Sequence, residues 1–388
     1  MKIVFEKTPL IAAVTPAMNA TSNKNTLTAI DGLLFEAKTD GVNGSECVIT
    51  AYDNEKGIRT SVEAEVREPG SYIINAQKFY SIIKVMPAEE ITVTVNDKMN
   101  VKIESGRSSF ELHALPGSDF PSLPTLSGER SFEVPQHIMK KFIAQTSFAI
   151  AQKDQRPIFT GAFFRVNEDG MTVVSCDGNR LSRCTSSCEV QNVKGSDGGD
   201  MSFNVPGKTL SELGKLLSDN DDAVTVALTR RHVIFTVGSI VFFSRLIDGE
   251  YIEYNRIIPT SHETSVEIDR DLLCASIERA SLMIEEKSGG SRGHVACNFT
   301  DDKLVITADS ISGSLYDEIP VSKTGADIKI GFNCRFLLDA VRAADAETVK
   351  IELSSPLMGV SITDANASER AEDEGDFLFF VMPVRMKE

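Results

Sequence analysis

Gly207-Lys208-Thr209 has the residues that close a phosphate-binding loop, where backbone N–H groups cradle phosphate oxygens and a lysine neutralises them. That loop also needs a glycine five positions before its second one, and Ser202 stands there. Gly289-x-Ser291-x-Gly293 has the spacing of a nucleophile elbow, but an elbow sits between a strand and a helix in that order. Here a helical pattern precedes and a strand pattern follows. Cys184 and Cys188 lie four apart with no second cysteine pair and no histidine cluster, so the four converging ligands of structural zinc are missing. The five histidines are scattered singly. The acidic run Asp219 to Asp222 falls in a turn, and no carboxylate pair is placed for metal-assisted phosphoryl chemistry. The residues imply no metal, no cofactor and no catalytic centre.

A different chemistry is carried by cations at helical spacing. Lys208 and Lys215 are seven apart, as are Arg335 and Arg342, so each pair shares a helix face. Lys78 and Lys84 are six apart and diverge by roughly a third of a turn. Lys140 and Lys141 add charge to another helix. Such faces suit either solvation or the tracking of phosphates without base readout.

The elements that position these cations recur. Ser71–Val95 reads as short strand, helix, proline stop and strand: Phe79, Ile82, Ile83 and Met86 keep helical spacing, and Ile91, Val93 and Val95 alternate. Met201–Leu228 and Asp327–Leu353 repeat the unit, with Lys78, Lys208 and Arg335 near the helix starts. The period is about 130 residues, a domain length and not a solenoid repeat. A second strand–helix unit recurs in phase, at 3–18, 131–150 and 265–284. Thr8 and Asp269 are expected N-caps there, and Pro9 and Pro135 are expected first-turn residues. The segments Pro116–Pro124 and Asp248–Pro259 read as linkers, which divides the chain at 1–128, 129–260 and 261–388. Each third is α+β, two helices among many short strands.

The whole chain sets bounds on partners. A formal net charge of −16 with 41% hydrophobic residues is a soluble globular composition. It argues against a surface that binds nucleic acid everywhere, while leaving room for a local basic lining. The apolar start is interrupted by Glu6 and Lys7, no run of about eighteen apolar residues exists, and seven scattered cysteines fit reduced thiols. A cytoplasmic protein with no membrane partner is expected.

Five short motifs in order resemble the bacterial sliding clamps, the β subunits of DNA polymerase III. They are Ser105-Gly106-Arg107-Ser108-x-Phe110, Leu115-Pro116-x-x-Asp119-Phe120-Pro121, Asp177-Gly178-x-Arg180-Leu181, Asp248-Gly249 through Tyr254-x-Arg256, and Val381-Met382-Pro383-Val384-Arg385. The resemblance covers nearly the whole chain. It implies three tandem clamp domains, closed by a head-to-tail homodimer into a ring with helices lining the hole. The ring would encircle double-stranded DNA without sequence preference and tether the replicative polymerase. A clamp loader and other proteins carrying short clamp-binding peptides, of the Gln-Leu-x-Leu-Phe type, are the further implied partners. A rival reading, an enzyme on nucleic acid sharing only the fold, lacks the carboxylate pairs and phosphate loop it would need.

The resemblance places DNA-facing cations at Lys24, Lys78, Lys84 and Lys208, with Lys153 as a polar contact; Lys140, Lys141, Lys215, Arg335 and Arg342 join them from the helix pattern. It implies a peptide cleft built from Arg156, Phe159, Cys176, Gly178, Asn179, Arg180, Leu181, Ile252, Arg256 and Ile257. The last domain would add Asn333, Phe336, Leu357, Val381, Met382, Pro383, Val384, Arg385 and Met386. Leu181, Ile257, Val381 and Met382 are expected to form the floor, with Arg180 and Arg385 near the rim. Removing Val381–Glu388 is expected to abolish peptide uptake and spare the dimer. The implied dimer contact involves Arg107, Phe110 and Leu112 on one side and Leu282 and Met283 on the other. The chain departs from the family pattern with Asn179 in place of histidine, Ile252 in place of proline, and Pro157 and Ile158 in place of aromatics. Lys387 and Glu388 extend the apolar end, and Ser368–Asp376 is a long acidic loop.

Overall fold

The computed structural model describes residues 1–21, 29–40, 44–128, 130–167, 170–187, 190–194, 201–284, 294–311, 313–369 and 375–386. Lys24, Cys188, the Gly195–Asp200 tip, the Ser288–Gly293 loop, most of the acidic loop, Lys387 and Glu388 lie outside them.

Six α-helices occur among the described residues, two per third: α1 (Lys7–Ala17), α2 (Ala76–Val85), α3 (Gln136–Ser147), α4 (Gly207–Leu216), α5 (Arg270–Ser281) and α6 (Cys334–Ala343). In α2, α5 and α6 an Asx residue caps the start: Asn75 accepts from the Lys78 N–H at 3.0 Å, Asp269 from Leu272 at 2.8 Å and Asn333 from Phe336 at 3.2 Å. Those bonds satisfy first-turn donors that have no partner within the helix. Thr8 is not a cap, because α1 already begins at Lys7 with Glu6 before it and no side-chain cap bond. Pro135 ends a strand one residue before α3. The helices expected to reach Ile150 and Ile284 stop earlier. Ile150 and Ile284 donate to Ser147 and Ser281, the tighter three-residue turns that close a helix end.

The described chain forms two compact bodies, and the middle third contributes to both. One body holds residues 1–136, 192–195 and 215–246; the other holds 137–191, 196–214 and 247–388. In the first, an antiparallel sheet of fourteen strands continues from the middle third into the first third. The joint is the pair Ile240–Arg245 and Lys56–Glu63, with Ile240 opposite Thr60 and Ser244 opposite Lys56. The second strand of that joint escapes a pattern reading because its outward positions include Arg59, Ser61 and Glu63 and its inward ones are only Ile58, Thr60 and Val62, which are buried. Phe120, from the expected linker, packs with Leu34, Tyr52, Ile73, Ile234 and Phe243, so this segment is part of the core.

The second body holds a nine-stranded and a five-stranded sheet. In the nine-stranded one, Arg180–Ser186 of the middle third pairs with Asp376–Val381 near the chain end, Arg180 opposite Val381 and Thr185 opposite Asp376. The strand Gly313–Pro320 lies at an edge of the five-stranded sheet. Pro383–Val384 pairs with Gly331 and Phe332 at the opposite edge.

Candidate functional site

The joint between Arg180–Ser186 and Asp376–Val381 carries a cavity of about 400 Å³. Its volume falls within the range of ligand pockets. Strand alternation decides what faces it. Leu181 and Phe380 sit opposite each other and share one face, packed with Phe159, Val174 and Cys176. Met382 lies two positions beyond Phe380 and also lines the cavity, where its N–H bonds the Asn179 carbonyl at 2.8 Å.

The Asp177–Arg180 turn shapes one rim. Asp177 Oδ1 accepts from the Asn179 and Arg180 N–H groups at 2.9 and 3.0 Å, and Gly178 holds φ +86°, a conformation glycine adopts freely. Arg156 overhangs the cavity with its guanidinium 4.1 Å from the Phe159 ring centre. Hydrogen bonds from Arg156 hold the Asp154 carboxylate below its usual range. The segment after Ile247 supplies Ile252 and Ile257. Tyr251 anchors it by stacking on Phe163 at 5.2 Å, and Asn204 Nδ2 donates to the Gly249 carbonyl at 2.8 Å.

Ten of the expected cleft residues therefore meet at one cavity: Arg156, Phe159, Cys176, Gly178, Asn179, Arg180, Leu181, Ile252, Ile257 and Met382. Phe380 completes the lining and was not expected. Its signal was present in the sequence, because two-residue alternation from Met382 puts Phe380, and not Val381, on the cavity face. Val381 is fully buried, on the face of Phe379, whose ring meets Phe148 at 5.1 Å. It is thus no part of the floor. Truncation from Val381 would also remove a paired core residue and the Pro383–Val384 strand, so it is a poor test of the cleft. Arg180 does not stand at the rim. Its side chain is 10% exposed, donates to Asp177 at 3.0 Å and Asp339 at 2.7 Å, and lies 4.5 Å from the Phe336 ring centre. Phe336 thereby meets the cavity residue Arg180 from α6, and Asn333, which caps α6, does not line the cavity. Arg256, Leu357, Pro383, Val384, Arg385 and Met386 are not among the residues that line the cavity.

The chemistry available here is binding. Burial pushes the Cys176 thiol up, only partly offset by the Gly178 N–H, which keeps it protonated at neutral pH and a weak nucleophile. The walls are apolar, with the Asp177–Arg180 turn and the Arg156 guanidinium at the rim, an arrangement suited to apolar groups.

The basic helix faces are also in place. Lys78 and Lys84 on α2, Lys208 and Lys215 on α4, and Arg335 and Arg342 on α6 are exposed, opposite the buried Phe79, Leu210 and Leu337 of the same helices. Lys153 is exposed, and Lys140 half-buried. Three cations are partly engaged inside the protein: Lys141 with Asp345 at 2.7 Å, Arg342 with Glu278 at 2.6 Å and Arg335 with Asp339 at 3.9 Å. Lys141 is accordingly a structural tie between α3 and the end of α6. The expected dimer residues sit at an unfinished sheet. Over Ser108–His113 the strand 108–116 pairs only with Asn100–Ser105 among the described residues, and Arg107 and Phe110 are exposed. Leu282, just past α5, is 77% exposed, and Met283 packs near the start of the edge strand at Gly313.

Residues 1–124, 133–253 and 255–374 match, in that order, the N-terminal, central and C-terminal domains of the DNA polymerase III beta subunit. Similar proteins include the beta sliding clamp of Staphylococcus aureus, 27% identical over 91% of this chain and 92% of the relative. The beta sliding clamp of Bacillus subtilis is 26% identical over 99% of this chain and 100% of its own. Among solved structures, a putative DNA polymerase III beta subunit of Eubacterium rectale superposes with a TM-score of 0.89 at 29% identity, covering 100% of both chains. A Pseudomonas aeruginosa sliding clamp bound to griselimycin gives 0.88 at 26%, again over 100% of both.

Proposed function

The chain belongs to the DNA polymerase III β subunit family, the non-catalytic processivity subunits of that polymerase, and from that membership we propose how it works as a DNA sliding clamp. Two copies close head to tail into a ring around double-stranded DNA, opened and placed by a clamp loader in the cytoplasm. The apolar cavity beside Leu181 and Met382 receives short peptides of the replicative polymerase and of other DNA-processing proteins. The cavity is the single observation that carries the partner reading, because it assembles ten expected residues from separate segments into one apolar site.

The lining of the hole is assigned to the exposed cations of α2, α4 and α6, with Lys24, Lys140 and Lys153. Contacts to phosphates alone fix no register, so the ring slides. The acidic remainder, within a net charge of −16, discourages DNA from binding elsewhere.

Short linear duplex is expected to bind weakly, and log K should fall with log salt by about 0.9 per phosphate neutralised. Loaded protein should stay on closed circular DNA and leave once the circle is cut; equal retention on both forms would contradict encirclement. Lys24→Glu with Lys208→Glu should impair loading and retention while light scattering still reports a dimer.

A further inference from the structure

We propose that Gly359 and Phe380 act as a pair that sets the width of the peptide cavity and hence the size of the anchor it accepts; this rests on the peptide-cleft reading above. Phe380 lines the cavity, and its ring extends across the sheet to Gly359, the residue just before the neighbouring strand Val360–Asp364. Val360 is opposite Val381 and Ser361 opposite Phe380, so Gly359, just before the adjoining strand, is a diagonal neighbour of Phe380. A Cβ at position 359 would fall 2.0 Å from Phe380 Cζ, 2.4 Å from Cε2 and 2.8 Å from Cε1. Carbon atoms do not approach that closely, so the ring occupies its place only because residue 359 has no side chain. Gly359 itself does not line the cavity and its backbone lies outside the left-handed region. Alanine is therefore acceptable to the backbone, and the three atoms its methyl group would meet first all belong to the ring.

The direction of yielding follows from packing. Beside Phe380 stand Leu181, Phe159 and Cys176, all buried, and a close-packed interior does not take up a displaced ring. The cavity is the adjoining free space. A methyl group at 359 drives the ring into it and narrows it from the Phe380 side. A large terminal anchor then loses room that a small one never used. Gly359 is thus a positioning residue for the specificity of the cleft, acting through Phe380.

The test titrates two fluorescein-labelled peptides, Gln-Leu-Ala-Leu-Phe and Gln-Leu-Ala-Leu-Val, against the full-length dimer. For Gly359→Ala, affinity for the Phe-ended peptide should drop at least about tenfold, the scale on which one methylene of pocket space discriminates, with a smaller drop for the Val-ended one. Gly359→Ala with Phe380→Val should recover the Phe-ended peptide, since the smaller side chain clears position 359. Phe380→Val alone, which needs no new space, should shift the ratio of the two affinities toward the Phe-ended peptide. Thermal unfolding and light scattering confirm that each variant remains a folded dimer, and the ratio of the two affinities is a readout that a general loss of stability does not move. Unchanged affinities in Gly359→Ala, or no recovery in the double variant, overturn the proposal. If the unaltered protein takes up neither peptide, the cleft reading itself is overturned, and the size rule with it.

Discussion

Leu282→Asp combined with Met283→Asp is expected to give folded monomers that no longer stay on circular DNA. Leu282 is 77% exposed, and Met283 lies near the start of the edge strand Gly313–Pro320. That edge also exposes Ile311 and Tyr316. An apolar patch beside an open edge is an association surface unless it is covered. In the proposed ring it is covered by the strand around Phe110 and Leu112 of the second copy. Two aspartates there would place charge in an apolar contact while disturbing little within the subunit, because Leu282 makes so little contact with its own chain. Mass by light scattering should halve, with unfolding still a cooperative transition. Retention on closed circles should disappear, since an open chain cannot be topologically held. A dimer of undiminished mass would move the interface elsewhere.

Ile257→Asp combined with Met382→Asp is expected to reduce affinity for a Gln-Leu-Ala-Leu-Phe peptide at least a hundredfold with the dimer intact. Both side chains line the cavity yet are only partly covered, 41% and 39% exposed, so the free protein tolerates charge at either. A peptide that buries two large apolar anchors gains roughly 3–6 kcal/mol before ordering costs. Carboxylates in the walls would have to be desolvated by the incoming anchors, which removes most of that gain. A fluorescence-anisotropy titration decides the matter. Binding within threefold of the unaltered protein would show that partners dock elsewhere. These substitutions are cleaner than a terminal truncation, because Val381 is a buried, paired sheet residue.

Much of the architecture was legible in the sequence because it is local. Helical spacing of Phe79, Ile82 and Ile83 beside Lys78 and Lys84 requires a helix buried on one side and cationic on the other, and α2 is that helix. The strand Glu90–Val95 follows from its alternation in the same way. Repetition of these units at domain length fixed three similar thirds, and the short ordered motifs tied them to a family. The two-residue period along Asp376–Val381 also groups Phe380 with Met382 on one face, without saying what that face meets.

What the chain could not show was pairing between segments far apart. Arg180–Ser186 and Asp376–Val381 are each ordinary strands, and nothing local says that they are neighbours; long-range register is settled by the burial of both at once. The same holds for the joint of Ile240–Arg245 with Lys56–Glu63, whose second strand shows too few apolar residues to declare itself. It holds for charges too. The helix pattern put Lys141 on a basic face and the resemblance put Arg180 near a rim, but a carboxylate from a distant segment claims each of them, Asp345 and Asp339 respectively. An opposite charge brought within hydrogen-bonding distance by the fold outweighs any preference written along one helix or strand. By itself, then, the sequence determined the elements, their threefold recurrence and the residues available for a cleft. Tertiary structure decided which of those residues face the cavity, because only the pairing of distant strands sets which faces meet.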